Sequence, residues 1–449
     1  MVHSRTVVLA RRVRALAAVA VVALVATACV GGGQSNNQDS QAGQAGQTVQ
    51  PVTPKEPTSP VTVTFQSWVG ESPQMKKLAA DFKKAHPNIT IKFQNVPADS
   101  ATQKLTTQVA GGTAPDTAFI DSSAVQDFAA RRALVNLDGY IAGSQAVKLD
   151  DYVAGFKQTA VYQNSMFALP YDGETTGLFY RTDLFQAAGI TKPPATWDEL
   201  KAAAEKLTDP AKKQYGYILF APEAQYYWLP FLWQAGGNLV SKDGKTITFN
   251  SPQGVQAADF YVGLRKYSPP DYLASNSWDG RVAFATGKVA MYMAGAWFGG
   301  EMAASFPKIK GKWSVAPLPA GPARCATTIA GDSLVVTSQS KNKDAAWMWI
   351  EFLSRPENMK LWTFGSPTAT LLPPRQSLLS DPQLGRYNPW LKGFADQMKC
   401  AVNEATTNAN WGQVSDALNT ELGKAIYGDQ SASEALNKAA KKGQTLLEE

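Results

Sequence analysis

The sequence is poor in the residues that carry most catalysis and metal binding. It has two histidines and three cysteines in 449 residues. His3 lies in an N-terminal segment that reads as a removed signal. His86 ends a predicted helix in Lys83-Lys84-Ala85-His86-Pro87, where a cation near a helix C-terminus is explanation enough. Gly331-Asp332-Ser333-Leu334 spells the motif of one hydrolase family, but that serine needs an imidazole base and no histidine follows residue 86. The cysteines and histidines show no metal-ligand spacing, and neither a GxGxxG run nor a P-loop occurs. Excess charge is lacking too. The formal net charge is +6, and Arg5, Arg11, Arg12 and Arg14 of the N-terminal segment supply 4 of it, leaving +2 for the mature chain. With no long basic run, a nucleic-acid partner is not expected. Carboxylates are the one catalytic type present. Asp121, Asp172, Glu174 and Asp332 are candidates for an acid and nucleophile pair, which would have to lie about 5–10 Å apart. The other reading is that they hydrogen-bond the hydroxyls of a bound ligand. We take the second, and expect no enzyme, no cofactor and no metal.

What is present begins with a targeting segment, residues 1–28. The four arginines form a positive start, and Ala15 to Ala28 is an apolar run of 14 residues ending in small side chains. That is too short for a permanent bilayer span. Cys29 follows Ala26-Thr27-Ala28, which resembles a lipobox with Ala26 in place of the usual leucine. Lipidation of Cys29 is the expectation, with plain cleavage before an unlipidated cysteine as the alternative; Arg11-Arg12 leaves twin-arginine export open. Residues 29–60 are Gly, Gln, Ser, Asn and Pro with almost no large apolar side chain, so they cannot form a core. Gln34 to Gln50 reads as a flexible coil spanning roughly 20–25 Å. Pro51, Pro54, Pro57 and Pro60 recur every third residue, which favours polyproline II. The whole stretch is expected to be a disordered tether.

About 390 residues follow from Val61, enough for two ordinary domains. Strands over Val61–Gln66, Ile89–Phe93 and Pro115–Ile120 alternate with helices marked by Met75, Leu78 and Phe82 and by Leu105 to Ala110. Such alternation predicts an α/β fold on a largely parallel sheet, with ligands beyond the C-terminal strand ends. Trp68, Asp121 and Ser122 stand at those ends, and packing on the surface is the alternative for Trp68. Further on, Tyr226 to Trp233 holds five aromatics in eight residues, more than one helical core stripe needs. Tyr226 or Trp228 is assigned to a ligand face, and Phe231 and Trp233 to the core. Trp347 and Trp349 read as packing residues of a helix over Ala345–Leu353, and Asn410-Trp411-Gly412 opens a helix to about Tyr427.

The stretch around which the chain is organised is Tyr171 to Asp209. In it a strand (Gly177–Tyr180), a short helix and a Pro-Pro pause precede a helix that Thr196 caps, with Glu199 completing a capping box. The pattern LPY…TGLFYRTDLFQAAGI…PPATWDELKAAAEKLTD closely resembles the signature of the extracellular solute-binding proteins of carbohydrate ABC transporters. FATGKVAMYMAGAW (Phe284–Trp297), VAPLPAGP (Val315–Pro322) and Gly331–Ser354 resemble further blocks of that family. The resemblance extends from Val61 to the C-terminus.

The resemblance implies a two-lobe, type II periplasmic-binding-protein fold with a ligand cleft between the lobes and three chain crossings. On this map lobe one is 61–171 plus 294–337, and lobe two is 173–293 plus 338–449. The strands Gly177–Tyr180 and Val289–Met293 would cross between lobes, with Gly331–Thr337 near the third crossing. It also implies a monomeric lipoprotein on the outer face of the bacterial cytoplasmic membrane, delivering a sugar to ABC permease subunits. A receptor for a peptide, polyamine or metal chelate, or a surface glycosidase, is the alternative. Sugar rings stack their C–H faces on aromatic rings and offer hydroxyl edges to carboxylates. Trp68, Tyr226, Trp228, Trp297 and Trp411 are the expected stacking residues; Asp121, Asp172, Glu174 and Asp332 are the expected hydroxyl partners. By the resemblance Glu174 sits where the family's sugar-bonding carboxylate commonly does, and Trp297 and Trp411 line the cleft. Cys325 and Cys400 are either disulfide-bonded near the hinge or two buried thiols.

Overall fold

The computed structural model describes residues 49–221, 224–270, 280–402, 408 and 410–448, apart from the side chain of Asp99. The signal segment, Cys29 and the first part of the tether lie outside the described residues, as does Trp278. Among the described residues, no helix is long and apolar enough to cross a membrane.

The first sheet runs in the order Ile89–Asn95, Val61–Ser67, Thr117–Asp121, Asp332–Val336, Leu169–Pro170. Its first three strands are parallel, as their alternation with helices predicts, and the last two pairings are antiparallel. Val63 and Phe65 point into one core with the helix Pro73–Ala85, which Ser72 caps by accepting from the Met75 amide and which buries Met75, Leu78 and Phe82. The helix Lys343–Leu353 closes the same core. Trp349 meets Phe65 edge-on at 5.9 Å and Phe82 at 5.1 Å. Trp347 and Trp349 are packing residues, as expected, but they pack in the first lobe. The assignment of everything after Ser338 to lobe two therefore fails for this helix, because its apolar face matches the first sheet.

The second sheet is the antiparallel set Trp313–Ala316, Gly177–Arg181, Met291–Ala294. Around it stand the helices Trp197–Lys206, Ala224–Gln234, Pro252–Gly263, Trp411–Tyr427 and Ala432–Glu448. Their core holds Leu178, Leu200, Trp228, Phe231, Leu418, Leu422 and Leu436. The cap at Thr196 forms as predicted, accepting from the Glu199 amide at 3.3 Å. Glu199 returns its carboxylate to the amide of Ala195, one residue before the cap, at 2.6 Å. Trp313–Ala316 and Met291–Ala294 both pair with Gly177–Arg181, so the segment from Ala294 to Ala316 belongs with lobe two, and neither Gly177–Tyr180 nor Val289–Met293 is a crossing.

The crossings are shorter. Glu174–Thr175 follows the first sheet and leads into the second, and pairs antiparallel with Ile329–Ala330, where the chain returns. Thr327–Thr328 pairs in parallel with Ala401–Val402, the third passage, ahead of the helix that starts at Trp411. Three crossing segments thus lie side by side as one ribbon. Cys325 and Cys400 are disulfide-bonded, each just before its crossing strand, so the bond ties the second crossing to the third.

The expected tether is only partly a tether. Its proline-bearing end lies on the first lobe: the Val52 amide donates to Gly139 O at 2.8 Å, and the Lys55 amide to Asp344 Oδ2 at 3.0 Å.

Candidate ligand site

The four carboxylates singled out in the sequence come together at the crossing ribbon. Thr117–Asp121 ends, and Asp332–Val336 begins, at the same end of the first sheet, and their antiparallel register sets Asp332 opposite Asp121. Asp172 and Glu174 flank the start of the first crossing. The Tyr171 amide donates to Asp332 O at 2.9 Å, so this segment is pinned against the strand Asp332–Val336.

Within the cluster the four acids differ in role. Asp172 is 1 % exposed. Its Oδ1 accepts the Asp332 amide at 3.1 Å and its Oδ2 accepts the Trp362 indole N–H at 2.6 Å. Burial raises its pKa, against the lowering effect of those bonds. The expectation that Asp172 meets a ligand hydroxyl is thus corrected: both its oxygens face the protein, and it fixes the strand on which Asp332 sits. Burial first, and then the charges of Asp172, Asp121 and Glu174, push the Asp332 carboxyl well above the usual range. Asp121 is exposed and accepts the Ser123 amide at 2.8 Å.

Glu174 is the most constrained. Burial, with the charges of Asp172 and Asp121 added, raises its carboxyl to about 8, while a hydrogen bond from the Trp297 amide works the other way. Its Oε2 is buried and has no hydrogen-bond partner in the protein. It lies against Gly295, where a Cβ would stand 1.9 Å from that oxygen. Among the described residues no lysine or arginine contributes to the shifts of Asp172, Glu174 or Asp332. Nor does any group of three His, Cys, Asp or Glu side chains among those residues have a metal-binding arrangement.

The aromatic candidates divide. Trp297 begins the helix Trp297–Ser305 and is 38 % exposed, and its amide holds the Glu174 carboxylate. Tyr226 is half-buried and its hydroxyl lies 3.3 Å from Thr176 Oγ1, which is itself hydrogen-bonded to Thr328 Oγ1 across the ribbon. Burial and the nearby Glu174 charge raise the Tyr226 pKa. Trp411 is half-buried at the start of its helix on the edge of the second core. Trp68 is half-buried with its ring 4.7 Å from that of Phe119, which in turn meets Trp362 at 6.2 Å. Trp228 does not belong to the site. It is 0 % exposed inside the second core, so of the pair Tyr226 and Trp228 only Tyr226 reaches the ribbon. Phe231 and Trp233 are buried, as expected.

Sequence reasoning missed Trp362, Thr176 and Thr328. Trp362 lies stacked on Tyr171 at 5.9 Å, on a helix far along the chain, Pro356–Thr363. Its one sequence signal is an indole in a short helix, and an indole N–H usually has a partner when buried.

The family model described as bacterial extracellular solute-binding protein matches residues 67–360. A lipoprotein of Streptomyces antibioticus, named for the oleD 5' region, is 28% identical over 350 residues, covering 75% of each chain. Among solved structures, the GacH receptor of Streptomyces glaucescens GLA.O, known unliganded and with acarbose, is 29% identical with a TM-score of 0.77; the match covers 86% of this chain and 98% of that one. An ABC transporter solute-binding protein of Thermotoga lettingae TMO bound with alpha-D-tagatose is 27% identical with a TM-score of 0.76, covering 87% of this chain and all (100%) of the other.

Proposed function

This chain belongs to the bacterial extracellular solute-binding proteins, and from that premise we propose that it captures a sugar where its two lobes meet and delivers it to an ABC transporter. The observation that carries the reading is the convergence, on the crossing ribbon, of Asp121, Glu174 and Asp332 with Trp297 and Tyr226. Carboxyl groups offer hydroxyls both acceptors and, where protonated, donors; the half-exposed indole offers a stacking face. A ligand at the ribbon would touch both lobes only when they close, so binding selects the closed form. The related receptors solved with acarbose and with tagatose support sugars over a wide range of size as the ligand class. The proposed ligand contacts are Glu174, Asp121 and Asp332 for hydroxyls, and Trp297, Tyr226, Trp411 and Trp68 for ring faces. Binding, with no chemical step, is the proposed activity of this site.

Cys29 is proposed to carry a lipid that holds a monomeric protein on the outer face of the membrane. Its lipobox-like surroundings and the related Streptomyces lipoprotein support this.

One observation favours a second solute class. Among the described residues no lysine or arginine contributes to the shifts of this acidic cluster, whose Glu174 and Asp332 burial pushes toward the protonated form; a polyamine would bind by drawing those acids back to their charged form. Small-angle scattering of the protein from Val49 onward tests the first reading. A stabilising neutral sugar should shrink the radius of gyration through lobe closure. Compaction by polyamines alone would replace sugar with a cation as the ligand.

A further inference from the structure

The proline-bearing segment ahead of the first strand has a single aliphatic side chain beside its prolines, Val52, yet it is fitted to the first lobe along most of its length. Val52 lies flat on the helix Asp138–Gly143. A Cβ at Gly139 would stand 2.8 Å from Val52 Cγ2, and one at Gly143 would stand 2.3 Å from Val52 O. Two glycines four residues apart, one helical turn, thus leave a groove that any larger residue would fill. The Val52 amide closes the contact on Gly139 O at 2.8 Å.

The next turn of the segment is held by polar groups. The Lys55 amide donates to Asp344 Oδ2 at 3.0 Å, and the Tyr140 hydroxyl donates to Asp344 Oδ1 at 2.6 Å. Tyr140 is itself stacked on the buried Trp347 at 5.2 Å, so Asp344 is aimed at the segment by the core beneath it. Glu56 Oε2 lies 2.9 Å from His86 Nδ1, and Pro57 O accepts the Asn88 side chain at 2.8 Å. Val52, Pro54 and Pro57 are the half-buried positions, while the residues between them are mostly exposed. Proline lowers the entropy lost on docking, because its φ is already restricted before the contact forms.

We propose that residues 50–60 are a strap docked on lobe one, and that the anchored protein is therefore held by lobe one, leaving lobe two as the lobe that swings. This consequence rests on the lipid-anchor reading of Cys29; the docking itself does not. The free leash then runs from Cys29 to Val49, 20 residues, and not to Val61, 32 residues. A fully extended chain of those lengths reaches at most about 70 Å and about 110 Å respectively. Docking thus shortens the greatest distance between anchor and body by about a third, and it sets the point where the leash leaves the body beside the helix Asp138–Gly143, where Gln50 O lies close to Gly139. A leash that leaves from lobe one does not have to be dragged when the other lobe closes on a ligand.

Hydrogen–deuterium exchange on the full mature chain tests this, with a synthetic peptide of residues 50–60 as the reference. The Val52 and Lys55 amides should exchange at least tenfold more slowly in the protein than in the peptide. Gly143→Leu, which places a side chain where Val52 O lies, should return them to the peptide rate while Val61–Ser67 stays protected. Should that variant disturb the body, Asp344→Ala removes the acceptor of the Lys55 amide and should release Lys55 by the same readout. Wild-type amides exchanging at the peptide rate, or protection that survives both substitutions, would overturn the strap. The intact mass of the chain, with or without a lipid on Cys29, reports on the anchor separately.

Discussion

Glu174 and Gly295 approach so closely that a single added methyl group at residue 295 would lie 1.9 Å from Glu174 Oε2. The carboxylate leaves the first crossing, passes over the glycine, and accepts the amide of Trp297 two residues further on. The position of the firmest ligand-binding candidate is therefore set by a residue that has no side chain. Gly295→Ala should push the Glu174 carboxylate out of this place. Overpacking of this kind costs about 1–3 kcal/mol, so the expected outcome is a modest fall in melting temperature with at least a tenfold loss of sugar affinity by calorimetry. Glu174→Gln, which keeps the shape, should lose less affinity than Gly295→Ala.

The raised carboxyls predict how stability depends on pH. Glu174 titrates from a reference value of 4.5 in the unfolded chain and at about 8 in the fold. Between those values the folded chain holds a proton that the unfolded chain has released. Its stabilisation is complete below about pH 4.5 and is lost as the pH rises through about 8. Asp332, raised well above its reference, acts in the same direction. The melting temperature of the ligand-free protein should therefore fall as the pH rises from about 5 to about 8, and the contribution of Glu174 should level off above that. Glu174→Gln should flatten that slope. A profile that rises over the same range would contradict the assignment.

Trp362 donates its indole N–H to the buried Asp172 Oδ2 at 2.6 Å. Trp362→Phe keeps the stack on Tyr171 and deprives the carboxylate of its donor. Leaving a buried acceptor unpaired costs about 1–3 kcal/mol. Chemical denaturation should show a loss of that size. Affinity for sugar should change through Asp332, whose amide Asp172 holds, and not through a direct contact.

How far the sequence reveals this site depends on the kind of signal each part leaves. Asp121 and Asp332 were legible because strand ends place side chains at the rim of a sheet, and Glu174 because its place in the motif resembles that of the family's sugar-bonding carboxylate. The crossings themselves were not. Glu174–Thr175 and Ala401–Val402 are strands of two residues, too short to leave an alternation, whereas the longer strands to which the resemblance points, Gly177–Arg181 and Met291–Ala294, pair with each other inside the second sheet. Trp228 and Tyr226 lie on a helix that is apolar on nearly all sides, and periodicity could not tell the buried face from the ribbon face. The strap escaped because its hold is on backbone groups and on two glycines of another segment. Composition marks such a stretch as unable to form a core, and it says nothing about whether another surface accepts it.

The disulfide between Cys325 and Cys400 joins two crossings across a sequence separation of 75 residues. By the chain-entropy account a loop of that length is worth roughly 4–5 kcal/mol. Cys325→Ser with Cys400→Ser should lower the denaturation midpoint accordingly. Because the bond lies at the ribbon and not out on the lobes, lobe closure on ligand should survive its removal. Scattering curves of the double variant with and without sugar would show this as an unchanged decrease in radius.

The central claim is that a sugar binds at the ribbon, with Glu174 among its contacts. It is tested most directly by a thermal-shift panel of neutral mono-, di- and oligosaccharides, polyamines, amino acids and peptides, run on the wild-type protein and on Glu174→Ala side by side. A ligand at 100 times its dissociation constant adds about 2.7 kcal/mol of stability by mass action, which is a visible shift in a chain of this size. The account predicts that one class of neutral sugar raises the wild-type melting temperature and that the variant loses most of that shift. Stabilisation by charged solutes alone, or a sugar shift undiminished in Glu174→Ala, would contradict it.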